Sequence, residues 1–197
     1  MTKVLTFKVG IEGLENKIWR KIEITDRMTV ADLAYTILAT FDSLAYHLYK
    51  IYHGNDSYLC MVEPFDLDDN NFKNAVNTRL SKVDFSENSE MIMEYDFGST
   101  TTFIITYLDS REITYYKGYL YPNIADGEGR GMLDDITCYE LKTIVEETDK
   151  LGYSNYYVTP GYERHEKYDY RKFNIKTNNK ILKGLILEIK NGYEVEE

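Results

Sequence analysis

Long apolar runs are missing from this chain of 197 residues, and nowhere does it approach the ~20 consecutive apolar residues that a membrane-spanning helix needs. The opening Met1-Thr2-Lys3-Val4-Leu5-Thr6-Phe7 alternates like a strand and has neither the apolar core nor the small-residue cleavage site of a secretory signal. Together these absences predict a soluble, cytoplasmic protein. Glycine and proline are scarce, at 12 and 3, and no Ser/Gly-rich or Pro-rich run separates two halves, which predicts one domain over 1–197 with 153–197 as a C-terminal extension of its core. Cysteine is limited to Cys60 and Cys138, too far apart for the paired spacing of a zinc site and expected as small buried hydrophobes. Positive charge is in deficit: 33 acidic against 23 basic side chains give a formal charge of −10, which repels a polyanion. The basic residues between Arg164 and Lys183 do not form a patch, because Glu163, Glu166 and Asp169 are interleaved with them. There is no nucleophile with an adjacent base, no phosphate loop and no dinucleotide fingerprint, so no cofactor is expected and a binding protein is favoured over an enzyme.

Against those absences stands 43% hydrophobic content, enough for a sizeable core. The centre of the pattern is Met91–Phe97 and Thr102–Leu108, two β-branched and aromatic runs joined at Gly98-Ser99-Thr100-Thr101, which read as a hairpin. Val4–Val9 and Ile18–Ile24 read as an earlier hairpin, with Trp19 as an anchor at the edge of the core. Thr29-Val30-Ala31-Asp32 has the form of a capping box, and Val30, Leu33, Ala34, Ile37, Leu38 and Phe41 recur at helical spacing as one apolar stripe. Tyr46–His53 is expected as a strand with His47 and His53 on one face, followed by a short strand at Ser57–Met61. Leu80–Phe85 is expected as a short strand or turn. Asp66–Asn71 resembles a calcium loop only superficially, for it lacks the glycine and the closing glutamate. Ile113–Tyr121 is expected as a strand stopped by Pro122. Thr137-Cys138-Tyr139-Glu140 is a full capping box, opening a helix with a stripe of Leu141, Ile144, Val145 and Leu151 and a stop at Gly152. A short helix near Tyr170–Leu182 and a final strand Lys183–Ile189 complete the reading. The fold expected is α+β: a twisted, mostly antiparallel sheet with a β-grasp-like start and two or three packed helices.

Several of these segments, in this order, resemble the plasmid open-reading-frame-three-like family, whose members are also described as insertion-element passenger proteins of a TnpR-like type. They are Trp19–Ile24, Thr29–Leu48 with its His47-Leu48, Glu94-Tyr95-Asp96-Phe97-Gly98, Tyr121-Pro122 with the Gly127–Asp135 connection, and Tyr168-Asp169 through Leu182. The resemblance implies an α+β protein associated with mobile elements and without an established activity. The chain departs from the family pattern in lacking a histidine after the Asp-Phe-Gly turn and a cysteine near the glycine-rich connection, so no role for those residues is carried over. The tail after Leu182 runs past the pattern.

The functional expectation is an acidic binding or interaction module acting through a protein partner. Its alternatives are a metal-assisted or carboxylate-based hydrolase and a nucleic-acid-binding accessory protein. The expected site lies where the Asp126–Asp135 loop meets the turn of the central hairpin, with candidate residues Asp96, Asp126, Glu128, Asp134, Asp135 and His47. Three glycines at alternate positions in that loop let the backbone approach something closely, and its carboxylates can hold a divalent ion or act as bases. The competing structural reading is that Asp134 and Asp135 serve the following helix as N-terminal charges and that Asp96 bonds the amides of its own turn.

Overall fold

The computed structural model describes residues 1–60, 72–132, 134–157 and 167–194. Eight strands and three α-helices succeed one another: β1 (Thr2–Ile11), β2 (Trp19–Thr25), α1 (Val30–Thr40), β3 (Tyr49–His53), β4 (Asp56–Leu59), β5 (Phe72–Asn74), β6 (Glu90–Tyr95), β7 (Thr101–Ile113), β8 (Asn123–Glu128), α2 (Cys138–Leu151) and α3 (Ile175–Glu194). The strands form one open sheet in the order β5-β4-β3-β6-β7-β1-β2-β8. Every neighbouring pair is antiparallel except β4 with β5. The central hairpin and the first hairpin form as their alternating runs require, and β1 lies between them, paired to β2 on one side and to β7 on the other.

Local signals fix the helices. At α1 the Thr29 hydroxyl accepts from the Asp32 amide at 3.0 Å and the Asp32 carboxylate accepts from the Thr29 amide at 2.9 Å, which satisfies two orphan donors of the first turn. All eleven residues of α1 are buried, not only the expected stripe. The reason is α3, which packs on the side of α1 opposite the sheet. On the sheet side Phe41 meets Phe103 edge-on at 5.0 Å, and on the other Tyr193 of α3 stacks on Tyr35 at 5.4 Å. A helix apolar all round needs two covers, and here it has them.

Several expectations are corrected. The run Lys183–Ile189 is the middle of α3 rather than a strand: Leu182 and Ile186 are buried, Leu185, Ile189 and Tyr193 pack on the core, and Leu187 is exposed. A strand would have placed Leu185, Leu187 and Ile189 on one face. Ile113–Tyr121 is not a strand; β7 ends at Ile113 and Tyr115–Leu120 coils as a 3₁₀ helix whose Tyr119 and Leu120 are exposed. Leu80–Lys82, within the segment expected as a short strand or turn, is a 3₁₀ turn. In α2 the buried stripe is Leu141, Ile144, Val145 and Thr148, while Leu151 is exposed beside the left-handed Gly152 cap. Asp66–Asn71 lies outside the described residues. Trp19 is half-buried at the start of β2, with the Lys8 ammonium 5.4 Å from its ring, and neither cysteine is in a disulfide, Cys60 being buried and Cys138 half-buried. Among the described residues no helix is long and apolar enough to cross a membrane.

Candidate functional site

Register brings several turns to one end of the sheet. Ile11 lies opposite Phe103, Trp19 opposite Glu128 and Tyr49 opposite Tyr95, so the β1–β2 turn, the β6–β7 turn, the end of β8 and the start of β3 share that end. The chain leaving β8 then crosses it toward α2. Two glycines permit the passage. Gly129 has φ +77, and a Cβ there would meet the Lys17 carbonyl at 2.2 Å; a Cβ on Gly131 would meet the Phe41 carbonyl at 1.9 Å. What this backbone approaches closely is therefore the protein's own β1–β2 turn and the C-terminus of α1. Met132 N–H donates to the Phe41 carbonyl at 2.8 Å, and the Tyr168 hydroxyl donates to the Gly131 carbonyl at 2.8 Å.

Beneath this crossing sits Arg20, fully buried between the rings of Phe41 and Phe173, 4.7 and 3.6 Å from their centroids. Its guanidinium donates to the carbonyls of Thr40 (2.9 Å), Trp19 (2.9 Å) and Glu128 (2.8 Å), tying the end of α1 to β2 and β8. Burial pulls its pKa down to about 10, opposed by the nearby Asp42 charge, so it remains a cation at neutral pH.

The crossing segment delivers two adjacent aspartates with different roles. Asp134 is buried and accepts three hydrogen bonds, from the Ser43 hydroxyl (3.0 Å), the Leu44 amide (3.0 Å) and the Tyr95 hydroxyl (3.2 Å). Burial raises its pKa above the usual carboxylate value while those donors pull it down. It pins the α1–β3 loop and β6 to the approach to α2. Asp135, half-exposed, faces outward: Oδ2 accepts from the Tyr46 hydroxyl and Oδ1 lies 3.0 Å from His47 Nε2. These two partners, Tyr46 first, hold its pKa below the ordinary value, and the same bond pushes the Tyr46 phenol well above its own. Asp96 lies just past β6 with φ 58; its Oδ1 accepts from the Gly98 amide at 3.0 Å, and its Oδ2 lies 3.6 Å from His47 Nε2. Among the described residues, four of the five non-glycine residues with positive φ, Asp42, Ala45, Asp96 and Asp135, are at this end, where loops rather than regular elements aim the side chains.

The structure thus brings His47, Asp96, Asp134 and Asp135 together, and one ligand atom from each of His47, Asp96 and Asp135 lies within 4.8 Å of the others. Asp126 and Glu128 are not among them. They belong to β8, an edge strand where Asp126 is opposite Lys21 and Glu128 opposite Trp19, separated from the central hairpin by β1 and β2. Asp126 bonds the amide of Gly127 at 2.8 Å. His47 precedes β3 rather than belonging to it, and His53 is elsewhere, its ring nitrogens 3.2 and 3.0 Å from the carbonyls of Glu90 and Asp84, so the expected shared face of the two histidines does not exist. Missed from the sequence were Ser43, Tyr46 and Tyr95, together with Tyr193, whose hydroxyl donates to the His47 carbonyl from α3. No local motif announces any of these contacts. Leu44, Tyr46, Leu48 and Phe97, all about half-exposed, flank the cluster on the same two loops.

Comparison with known proteins is consistent with this architecture. The family model described as plasmid pRiA4b ORF-3-like protein matches residues 3–177. No curated protein matches the chain. A crystal structure of a protein of unknown function from Methanosarcina mazei Go1 is similar, with a TM-score of 0.70 at 20% identity over 89% of this chain and 96% of that one, a likeness of fold.

Proposed function

The chain belongs to the plasmid pRiA4b ORF-3-like protein family, and from that premise we propose that it is an acidic binding module that engages a protein partner through the end of the sheet holding His47, Asp96, Asp134 and Asp135. The observation that carries the reading is convergence. Segments remote in sequence, the α1–β3 loop, the central turn and the approach to α2, meet there with a polar centre of one imidazole, the exposed Asp135 carboxylate and the buried Asp96 carboxylate, flanked by the half-exposed Leu44, Tyr46, Leu48 and Phe97. A polar anchor with adjoining exposed apolar side chains is the composition of a recognition surface. Covalent chemistry has less support. The Cys138 thiol has its pKa raised by burial, opposite to an activated nucleophile, and Asp134 is engaged by three donors of the fold itself.

The test is partner capture with the wild-type chain beside an Asp96→Asn, Asp135→Asn double variant of verified fold. The expected result is retention of a specific protein by the wild type and its loss from the double variant. A folded double variant that keeps every partner refutes the reading.

A further inference from the structure

Resting on that reading of the site, we propose that its polar anchor is a divalent transition-metal site in which His47 Nε2 and one carboxylate oxygen each from Asp96 and Asp135 are the protein ligands.

The spacing argues for it. Donor atoms around a metal with bonds of ~2.0–2.2 Å stand ~3–3.6 Å apart when they are neighbours in a tetrahedral or octahedral shell. His47 Nε2 lies 3.0 Å from Asp135 Oδ1 and 3.6 Å from Asp96 Oδ2, and no pair in the set exceeds 4.8 Å. His47 Nε2 thus already stands at shell spacing from each carboxylate, and the remaining separation, within 4.8 Å, is the one an ion would have to draw in. The donors are also held in a graded way. Asp96 is the most buried, with its other oxygen fixed by the Gly98 amide. The backbone carbonyl of His47 is held by Tyr193, and its amide lies 3.4 Å from the Tyr95 hydroxyl, so the peptide carrying the imidazole is tethered on both sides. Asp135, the most exposed, has its second oxygen on Tyr46. Each carboxylate therefore has a neighbour on its second oxygen, the arrangement that supports ligands from behind, and the imidazole is positioned through its backbone.

The donor set also selects the ion. Two carboxylates alone would suit Mg²⁺ or Ca²⁺, which take oxygen almost exclusively. The imidazole nitrogen shifts preference to zinc and the later first-row transition metals. Three protein ligands leave at least one position open on the exposed side, where a water or a donor from the partner completes the shell. The neighbouring Asp134 is excluded as a ligand because both its oxygens are engaged by Ser43, Leu44 and Tyr95.

Calorimetric titration of chelator-treated full-length protein with Zn²⁺, Co²⁺, Mg²⁺ and Ca²⁺ tests the proposal. The expected result is one Zn²⁺ per chain, at least about tenfold tighter than Mg²⁺ or Ca²⁺, and an absorption band of Co²⁺ bound to nitrogen and oxygen. Even supporting residues behind a ligand are worth ~10–100-fold in affinity, so His47→Gln, Asp96→Asn and Asp135→Asn should each weaken Zn²⁺ binding by at least about tenfold. His53→Gln and Cys138→Ser should leave it unchanged. Circular dichroism of the metal-free variants separates a lost ligand from a lost fold. Absence of stoichiometric Zn²⁺ binding overturns the proposal, and so does binding that survives in folded His47→Gln and Asp96→Asn or that disappears in Cys138→Ser. Repeating partner capture in chelator keeps the two ideas apart: capture that depends on Asp96 and Asp135 with no Zn²⁺ binding refutes the metal alone, whereas Zn²⁺ binding with capture indifferent to those residues refutes the partner reading alone.

Discussion

Replacing Asp134 by alanine should destabilise the protein by about 3 kcal/mol, which makes this buried carboxylate a structural pin rather than a ligand. The side chain accepts from the Ser43 hydroxyl, the Leu44 amide and the Tyr95 hydroxyl at 3.0, 3.0 and 3.2 Å. Truncation strands all three donors, two of them on the loop between α1 and β3 and the third at the buried end of β6. A donor left unsatisfied inside a protein costs about 1–3 kcal/mol. The loop donors can turn partly to water, which keeps the sum near the lower bound of three such terms, and removing a carboxylate whose burial is itself unfavourable offsets part of the rest. For a chain of this size about 3 kcal/mol lowers the melting temperature by roughly 6–12 °C. Asp134→Asn keeps the shape and one acceptor, so its loss should be about half as large. Thermal unfolding followed by circular dichroism at neutral pH measures both. An alanine variant that melts within 2 °C of the wild type, or an asparagine variant worse than the alanine one, would refute the reasoning and reopen Asp134 as part of the binding surface.

Gly131→Ala should cost about 3 kcal/mol, because its Cβ would stand 1.9 Å from the Phe41 carbonyl and relief requires breaking the Met132 and Tyr168 hydrogen bonds that hold the crossing segment; chemical denaturation with an unchanged midpoint would contradict this. Stability should fall in acid. Asp135, Asp149 and Asp169 have pKa values depressed by hydrogen bonds from Tyr46, Lys17 and Arg171, so the stabilisation they give is complete above the unfolded carboxylate value of ~3.9 and is lost as pH drops through their lower folded values. Asp134, raised by burial, acts in the opposite sense, its contribution being present in acid and lost as pH rises through its folded value; with Glu140, depressed by its Thr137 hydrogen bonds, four against one leaves a net decline below about pH 4, and a melting temperature that rises there would show the sign wrong. Binding to arbitrary duplex DNA at physiological salt should be undetectable in a mobility-shift assay, since a net charge of −10 must be overcome before contact; micromolar, salt-dependent retardation would reverse that inference.

What could be read in the sequence was what is decided within a few residues. Thr29 with Asp32 and Thr137 with Glu140 are three apart, and both capping boxes form. The central hairpin announces itself by alternation and a glycine-containing turn. The end of the chain is ambiguous in the sequence because Leu185, Ile186, Leu187 and Ile189 satisfy a strand and a helix equally over so short a run, and only the exposure of Leu187 while Leu185 and Ile189 pack on the core decides between them. Strand β8 reads as a loop in the sequence because Asn-Ile-Ala-Asp-Gly-Glu has weak strand character. Its support is tertiary, with Arg20 on the Glu128 carbonyl and the Asn179 amide bonding both N–H and C=O of Ile124 at 2.9 and 2.8 Å. Two of the six expected site residues therefore have other neighbours: Asp126 and Glu128 follow β2, while Asp134 and Asp135 reach the hairpin. The pairing of His47 with Asp135 joins residues 88 apart, and no spacing rule reaches that far.

The helix α3 links fold and site in a way that neither shows alone. The family match ends at residue 177, near the start of this helix, so most of α3 lies beyond it. Yet α3 is the second cover that lets α1 be buried on every side, with Lys190 reaching Asp32 in the capping box at 3.0 Å and Tyr193 stacked on Tyr35. The same Tyr193 sends its hydroxyl to the His47 carbonyl. A tyrosine can do both because its ring is apolar and its tip is polar: the ring closes the aromatic packing with Tyr35 and Tyr49 while the oxygen emerges where the α1–β3 loop begins to turn toward Asp135. The position of the imidazole thus depends on how α3 seats on α1. Sequence drift in the tail that loosened that seat would relax the site without touching any of its own side chains, which couples the least matched part of the chain to its most function-like end.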